Sequence, residues 1–179
     1  MGLDIVALKK VAKVEVELDE DGDPIDDEWW DKVVRVYADG NRGQHDHLEN
    51  KAFYSYEDRF SFRAGSYSGY SMWRDTLAKL AGYPETEYTS YSGDRKSHAA
   101  AAWGGGMEGS PFVELIDHSD CEGTIGPVTA AKLAKDFAEF EERARNFDGG
   151  EHHEWFVAQY LLWKEAFEFA ADDGMLIFC

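Results

Sequence analysis

Residues 127–178 read PVTAAKLAKDFAEFEERARNFDGGEHHEWFVAQYLLWKEAFEFAADDGMLIF, two helical periods followed by a short apolar run. Pro127 suits a first helical position, where no backbone N–H is needed. Ala130, Leu133, Phe137, Phe140 and Ala144 recur every three or four residues and so share one helix face. Asp148-Gly149-Gly150 interrupts the period. It resumes with Phe156, Tyr160, Trp163, Phe167 and Ala170, ends at Gly174, and leaves Met175 to Phe178 as a strand. Helices are therefore expected at 127–145 and 152–172, and their short linker makes them antiparallel neighbours. Their apolar stripes span about three heptads each, short for a coiled coil, so packing on a sheet is the expectation.

The first half of the chain supplies that sheet. Residues 2–8 and 11–18 read as strands, the second because Val14, Val16 and Leu18 alternate with Lys13, Glu15 and Glu17. The acidic stretch 19–27 is an exposed turn, and 33–37 is a third strand ended by Asp39-Gly40. Residues 53–56 and 60–63 are short aromatic strands, with a hairpin expected across Glu57-Asp58-Arg59. Tyr70, Trp73, Leu77 and Leu80 then mark a helix over 69–81, which Gly82 and Pro84 stop. From 85 to 110 the chain is rich in Ser, Gly, Ala and Tyr, which predicts a long flexible loop with a short helical piece at 99–103. Residues 112–116 read as a strand or a buried extended segment. Taken together, 1–179 reads as a single α+β domain: an antiparallel or mixed sheet with three principal helices, including the C-terminal pair.

Charge restricts the partners. Asp and Glu number 36 against 18 Lys and Arg, a net charge of −18 that repels phosphate backbones and anionic lipid. Direct binding to duplex nucleic acid is thus disfavoured, and a basic protein is the complementary partner. No apolar run approaches the ~20 residues of a membrane span. The N-terminus lacks a basic-then-apolar export pattern, and Val6 stands where a myristoylation motif needs Ser or Thr. Cys121 and Cys179 form no disulfide framework, so the chain reads as cytoplasmic with reduced thiols.

Several stretches carry reactive residue types. Counted from Glu17, an EF-hand pattern finds Gly22 and Glu28 at its required positions, with Asp19, Asp21 and Asp23 between. Glu17 replaces the usual Asp and no helices flank the stretch, so a solvated acidic hairpin is the primary reading and calcium the minority one. His45, His47, His152 and His153 lack metal-ligand spacing, and no metal or cofactor is expected. Around Cys121, the carboxylates Asp117, Asp120 and Glu122 oppose thiolate formation, which argues against a nucleophile. Residues 63–70 run from a strand into a helix start, with Ser66, Tyr67 and Ser68 between Arg63 and Arg74. Free N–H groups, hydroxyls and guanidinium groups there would suit an anion. Neither a Walker loop nor a Gly-x-Gly-x-x-Gly fingerprint is present. Arg63, Ser66, Tyr67, Ser68, Arg74, Asp120 and Glu122 are therefore the candidate ligand-binding residues. One local echo, Ser66-Tyr67-Ser68-Gly69 and Ser90-Tyr91-Ser92-Gly93, is explained by composition.

The opening Met1-Gly2-Leu3-Asp4-Ile5 resembles uncharacterised proteins encoded by phages and prophages. So do the segment 62–70 with Trp73-Arg74, and Ser119-Asp120-Cys121-Glu122-Gly123 with Ile125-Gly126-Pro127. The likeness spans most of the chain and is thinnest over 85–110. It implies an origin on mobile elements and brings no mechanism or site with it. Two functional readings follow. The first is a non-catalytic module that binds a host protein through its acidic surface. The second is a small-ligand protein or hydrolase whose pocket is formed by the 63–70 and 117–123 segments.

Overall fold

Strand β1 (Leu3–Lys9) buries Leu3, Ile5 and Ala7 on one face and Leu8 on the other, and the architecture follows from that. Leu3, Ile5 and Ala7 join the main core, while Leu8 joins a second, smaller one. Such double burial requires a layer on each side of the strand. In the computed structural model, which describes residues 2–26, 29, 31–38, 42–148 and 150–179, both layers are present. The fold is α+β. β1 pairs antiparallel with β5 (Asp58–Gly65) and with β9 (Met175–Phe178), and β9 pairs antiparallel with β8 (Gly123–Ile125). The sheet order is β5-β1-β9-β8.

One face carries α1 (Tyr67–Leu80), α3 (Pro127–Asn146) and α4 (His153–Ala170), close to their expected spans. Their apolar positions enter the main core, including Trp73, Leu77, Leu133, Phe137, Tyr160 and Trp163. The other face meets a three-stranded sheet of order β2-β4-β3, made of Ala12–Val14, Phe53–Ser55 and Val33–Arg35. Val36, Leu48 and Tyr54 pack there on Leu8 and Met175. Among the described residues no helix is long and apolar enough to cross a membrane.

Four local expectations are corrected. The strand expected over 11–18 pairs only at Ala12–Val14, with one further bridge between Leu18 and Pro24. The two aromatic strands do not form a hairpin: Phe53–Ser55 belongs to the small sheet and Asp58–Gly65 to the large one. Glu57, bonded to the Lys9 carbonyl, lies where the chain passes between them. The stretch 85–110 is built rather than structureless. It contains a hairpin of β6 (Thr86–Ser90) and β7 (Gly93–Ser97), then a 3-10 stretch at Ala99–Gly105 that breaks at Trp103. Residues 112–116 turn into a short helix, α2 (Val113–Ile116), after Phe112 adopts φ 62°. The Asp39-Gly40 stop, Glu28 of the calcium pattern and Gly149 of the helix linker lie outside the described residues.

The start of α3 is capped from far away in sequence. Its N-cap is Gly126, which has no side chain to accept the free amides. Asp46 supplies the acceptor: Oδ2 takes Val128 N at 2.8 Å and Thr129 N at 3.0 Å, and Oδ1 takes Thr129 Oγ1 at 2.8 Å. A Cβ on Gly126 would stand 2.5 Å from the His45 carbonyl, so only glycine lets the two segments meet. Asp46→Ala should lower unfolding stability by about 1–2 kcal/mol, with Asp46→Asn losing less, as read by urea denaturation.

Candidate functional site

The residues singled out in the sequence separate into different places. Arg63, on edge strand β5, is 62% exposed and pairs with Asp4 at 3.5 Å. Ser66 caps α1 by accepting Gly69 N at 3.1 Å, and its hydroxyl is shared with Ser68 at 3.2 Å. Tyr67 packs half-buried against the main core. Strand register explains why Arg63 does not meet the 117–123 segment. Arg63 lies opposite Asp4, Asp4 exchanges backbone hydrogen bonds with Cys179, and Gly123 lies opposite Phe178. Arg63 and Glu122 therefore occupy the same end of the sheet on opposite edges, roughly 14 Å apart across three strand spacings.

Arg74 makes the connection instead. Two turns into α1, it donates to the carbonyls of His118 at 2.6 Å and Ile116 at 3.4 Å, and its guanidinium lies 3.8 Å from Asp120. It also sits 4.6 Å above the Tyr70 ring. Burial holds the Tyr70 phenol protonated far above its usual range; Arg74 opposes this and Asp120 adds to it. A second arginine, absent from the sequence reading, fixes the other end of the segment. Arg42 donates to Asp117 at 2.8 Å, with the two side chains 12% and 5% exposed. It also donates to the carbonyls of Ala102 and Gly106, both at 2.6 Å. Its signal in sequence was nil, because one arginine in a polar connection has no periodicity to flag it.

Within the segment, Ser119 Oγ accepts the amides of Cys121 and Glu122. The exposed Cys121 thiol donates to Asp120 at 3.3 Å. That hydrogen bond, with smaller contributions from desolvation and the charges of Asp120 and Glu122, raises the thiol pKa above its ordinary value. The histidines do not converge: His153 bonds the Arg145 carbonyl, while His152 faces Trp155. Among the described residues no group of three or more His, Cys, Asp or Glu is placed to hold a metal ion. In the acidic turn, Asp19 Oδ1 is occupied by the amides of Asp21 and Asp23, which is hairpin geometry.

Two of the predicted residues, Ser68 and Arg74, line a real concavity. A cleft of about 300 Å³ lies between α1 and the β6-β7 hairpin. Helix α1 contributes Ser68, Ser71, Arg74 and Asp75; the hairpin contributes Tyr88, Arg95, Lys96 and Ser97. Asp75 is already engaged, accepting Ser97 Oγ at 2.6 Å and Ala99 N at 3.0 Å, and so fastens the hairpin to the helix. Arg95 donates only to Ser92 Oγ at 2.7 Å, and among the described residues no carboxylate lies within 4 Å of it. Lys96 is 3.5 Å from Glu87 and 3.8 Å from Glu85, both well exposed. Tyr88 and Trp103 meet edge to face at 4.9 Å on the rim, with Trp103 45% exposed. The hairpin had a legible signal. Its Ser90-Tyr91-Ser92-Gly93 turn pairs two serine hydroxyls as Ser66 and Ser68 do, at 3.1 Å.

Comparison with known protein families, curated proteins and solved structures finds no match, so the cleft is read from its own geometry.

Three substitutions report on these contacts. Arg42→Ala leaves Asp117 buried without its partner and should cost about 3 kcal/mol or more in urea denaturation. Arg63→Ala removes an exposed pair and should cost under about 1 kcal/mol. For Cys121, the raised pKa means less thiolate at any given pH. Iodoacetamide labelling at pH 7 should therefore be slower than for an unstructured cysteine, with its pH profile displaced upward; Asp120→Asn should move the profile back down.

Proposed function

We propose that the protein binds a small anion, carboxylated or phosphorylated and bearing a flat ring, in the cleft between α1 and the β6-β7 hairpin. The observation that carries this reading is a guanidinium left without a carboxylate in a concavity of an acidic chain. Among the described residues Arg95 has no carboxylate partner, and it stands beside Lys96 and Arg74, which pair at 3.5–3.8 Å with Glu85, Glu87 and Asp120, while the lining carboxylate Asp75 already serves the hairpin. Arg74 is held by the backbone carbonyls of Ile116 and His118, so little side-chain freedom remains to be lost on binding. Ser68 and Ser71 add hydroxyls beside it, and the exposed Trp103 face offers a stacking surface for a ring. The volume lies at the lower end for small-molecule pockets. Beside Met72, Ala99 and the engaged Asp75, the lining is made of hydroxyls, cations and aromatic faces, with no histidine and no thiol among them, which favours binding over covalent chemistry.

Calorimetric titration with inorganic phosphate, pyrophosphate and adenosine monophosphate tests the proposal. Saturable binding of at least one, weakening as salt rises, is expected. Arg95→Ala should then lower affinity by about tenfold or more while leaving the melting temperature unchanged, because Arg95 is exposed. No saturable binding by any of the three, or full affinity in an Arg95→Ala/Lys96→Ala double variant, would sink it.

A second reading is a non-catalytic module that occupies a basic host protein. It is favoured by the acidic excess alone, which speeds association with a positive surface.

A further inference from the structure

The second face of the large sheet holds another cleft, of about 520 Å³, with a different chemistry. Its floor is branched aliphatic. Val6 and Ile177 lie opposite each other on β1 and β9, and Val34 of β3 closes over them. All three are only half-buried. Arg35 and Arg59 stand on the rim. Arg35 is held by aromatic rings, its guanidinium carbon 5.7 Å from Phe53 and 6.0 Å from Tyr37, and its Nε is buried with no hydrogen-bond partner. Among the described residues Arg59 forms no side-chain ion pair, and its backbone amide donates to Asp58. Among the described residues no carboxylate lies within 4 Å of either guanidinium. Glu122 lines the same cleft but is exposed and pairs with neither, and nearby Asp4 is taken by Arg63.

We infer that this cleft binds an acyl carboxylate, with Arg35 and Arg59 at the head group and Val6, Val34 and Ile177 along the chain. In a chain with 36 Asp and Glu, two arginines lining one cleft with no carboxylate partner among the described residues leave room for an outside anion to complete them. A guanidinium fork fits a carboxylate with two parallel hydrogen bonds. An apolar floor adjoining that fork selects an aliphatic tail over a polar one, which distinguishes this cleft from the serine-lined one beside α1. The inference is independent of the anion reading for that first cleft. It gives Glu122 and Cys121 a place on a rim rather than in catalysis.

Decanoate is the probe, with decanol as its uncharged counterpart and calorimetry as the readout. Saturable binding of one decanoate per chain is expected, and decanol should bind at least about tenfold more weakly. Arg59→Gln, at an exposed position, should weaken decanoate by a similar factor with the melting temperature unchanged. Arg35→Gln should weaken decanoate by a similar factor with some loss of melting temperature, because its guanidinium packs on Phe53 and Tyr37, and Arg95→Ala in the other cleft should have no effect. Equal affinity for decanol would reduce the site to an apolar groove and overturn the inference. So would full decanoate affinity in the Arg35→Gln/Arg59→Gln double variant. A concentration-dependent dimer that excludes decanoate would show instead that a second copy covers this face.

Discussion

Trp163 is where the layers of this protein are joined. Its ring lies 5.2 Å from Phe62 on β5, 5.5 Å from Tyr70 and 5.4 Å from Trp73 on α1, 5.9 Å from Phe167 on its own helix and 5.7 Å from Phe178 on β9. The cluster has a cost, since the Trp163 indole N–H and the Tyr70 hydroxyl are both buried without a partner. An unmet hydrogen bond costs about 1–3 kcal/mol. Burying an aromatic side chain removes on the order of 200 Å² from water, worth about 5 kcal/mol at 25 cal/mol per Å². Packing wins at each ring, and the position of α1 relative to the sheet follows from it. Because α1 carries Arg74 and Asp75, this aromatic cluster also sets the wall of the first cleft.

The basic side chains divide by what they touch. Arg42 and Arg74 are largely buried and tie the 117–123 segment to the body of the protein through backbone carbonyls as well as carboxylates. Arg63, Lys10, Lys13 and Arg145 make exposed pairs whose contribution to stability is small. Arg95 and Arg59 belong to neither group and stand in concavities. On an acidic surface, the residues that keep positive charge available distinguish a site better than the abundant carboxylates, most of which simply face water.

The two segments expected to share a pocket, 63–70 and 117–123, lie at the same end of the large sheet, but the first runs from β5 into α1 while the second runs from α2 into β8. Sharing an end is not sharing a cleft. Residues of the α1 region open toward the β6-β7 hairpin, whereas Cys121 and Glu122 open toward the small sheet. Among the described residues, Arg74 and Asp120 form the one ion pair between charged candidate residues of the two regions.

The helices, the first strand and the terminal strand were legible because each is a local pattern: apolar residues at three-to-four spacing or in short runs must be buried on one side whatever the partner. Asp and Gly in 19–23 likewise announced a turn, and the acidic neighbours of Cys121 announced a reluctant thiolate. Strand partners were not legible. Phe53–Ser55 and Asp58–Gly65 adjoin in sequence but pair in different sheets, because β1 offers β5 a longer register than a tight hairpin would. Nor were the capping of α3 by Asp46 or the burial of Arg42 against Asp117, contacts that span 82–83 and 75 residues and leave no mark on either segment alone. Which arginine meets which carboxylate is settled by strand register and by the rotation of α1 about its aromatic face. Both are properties of the packed chain, so the sequence supplied the charged groups while tertiary packing assigned them to separate clefts.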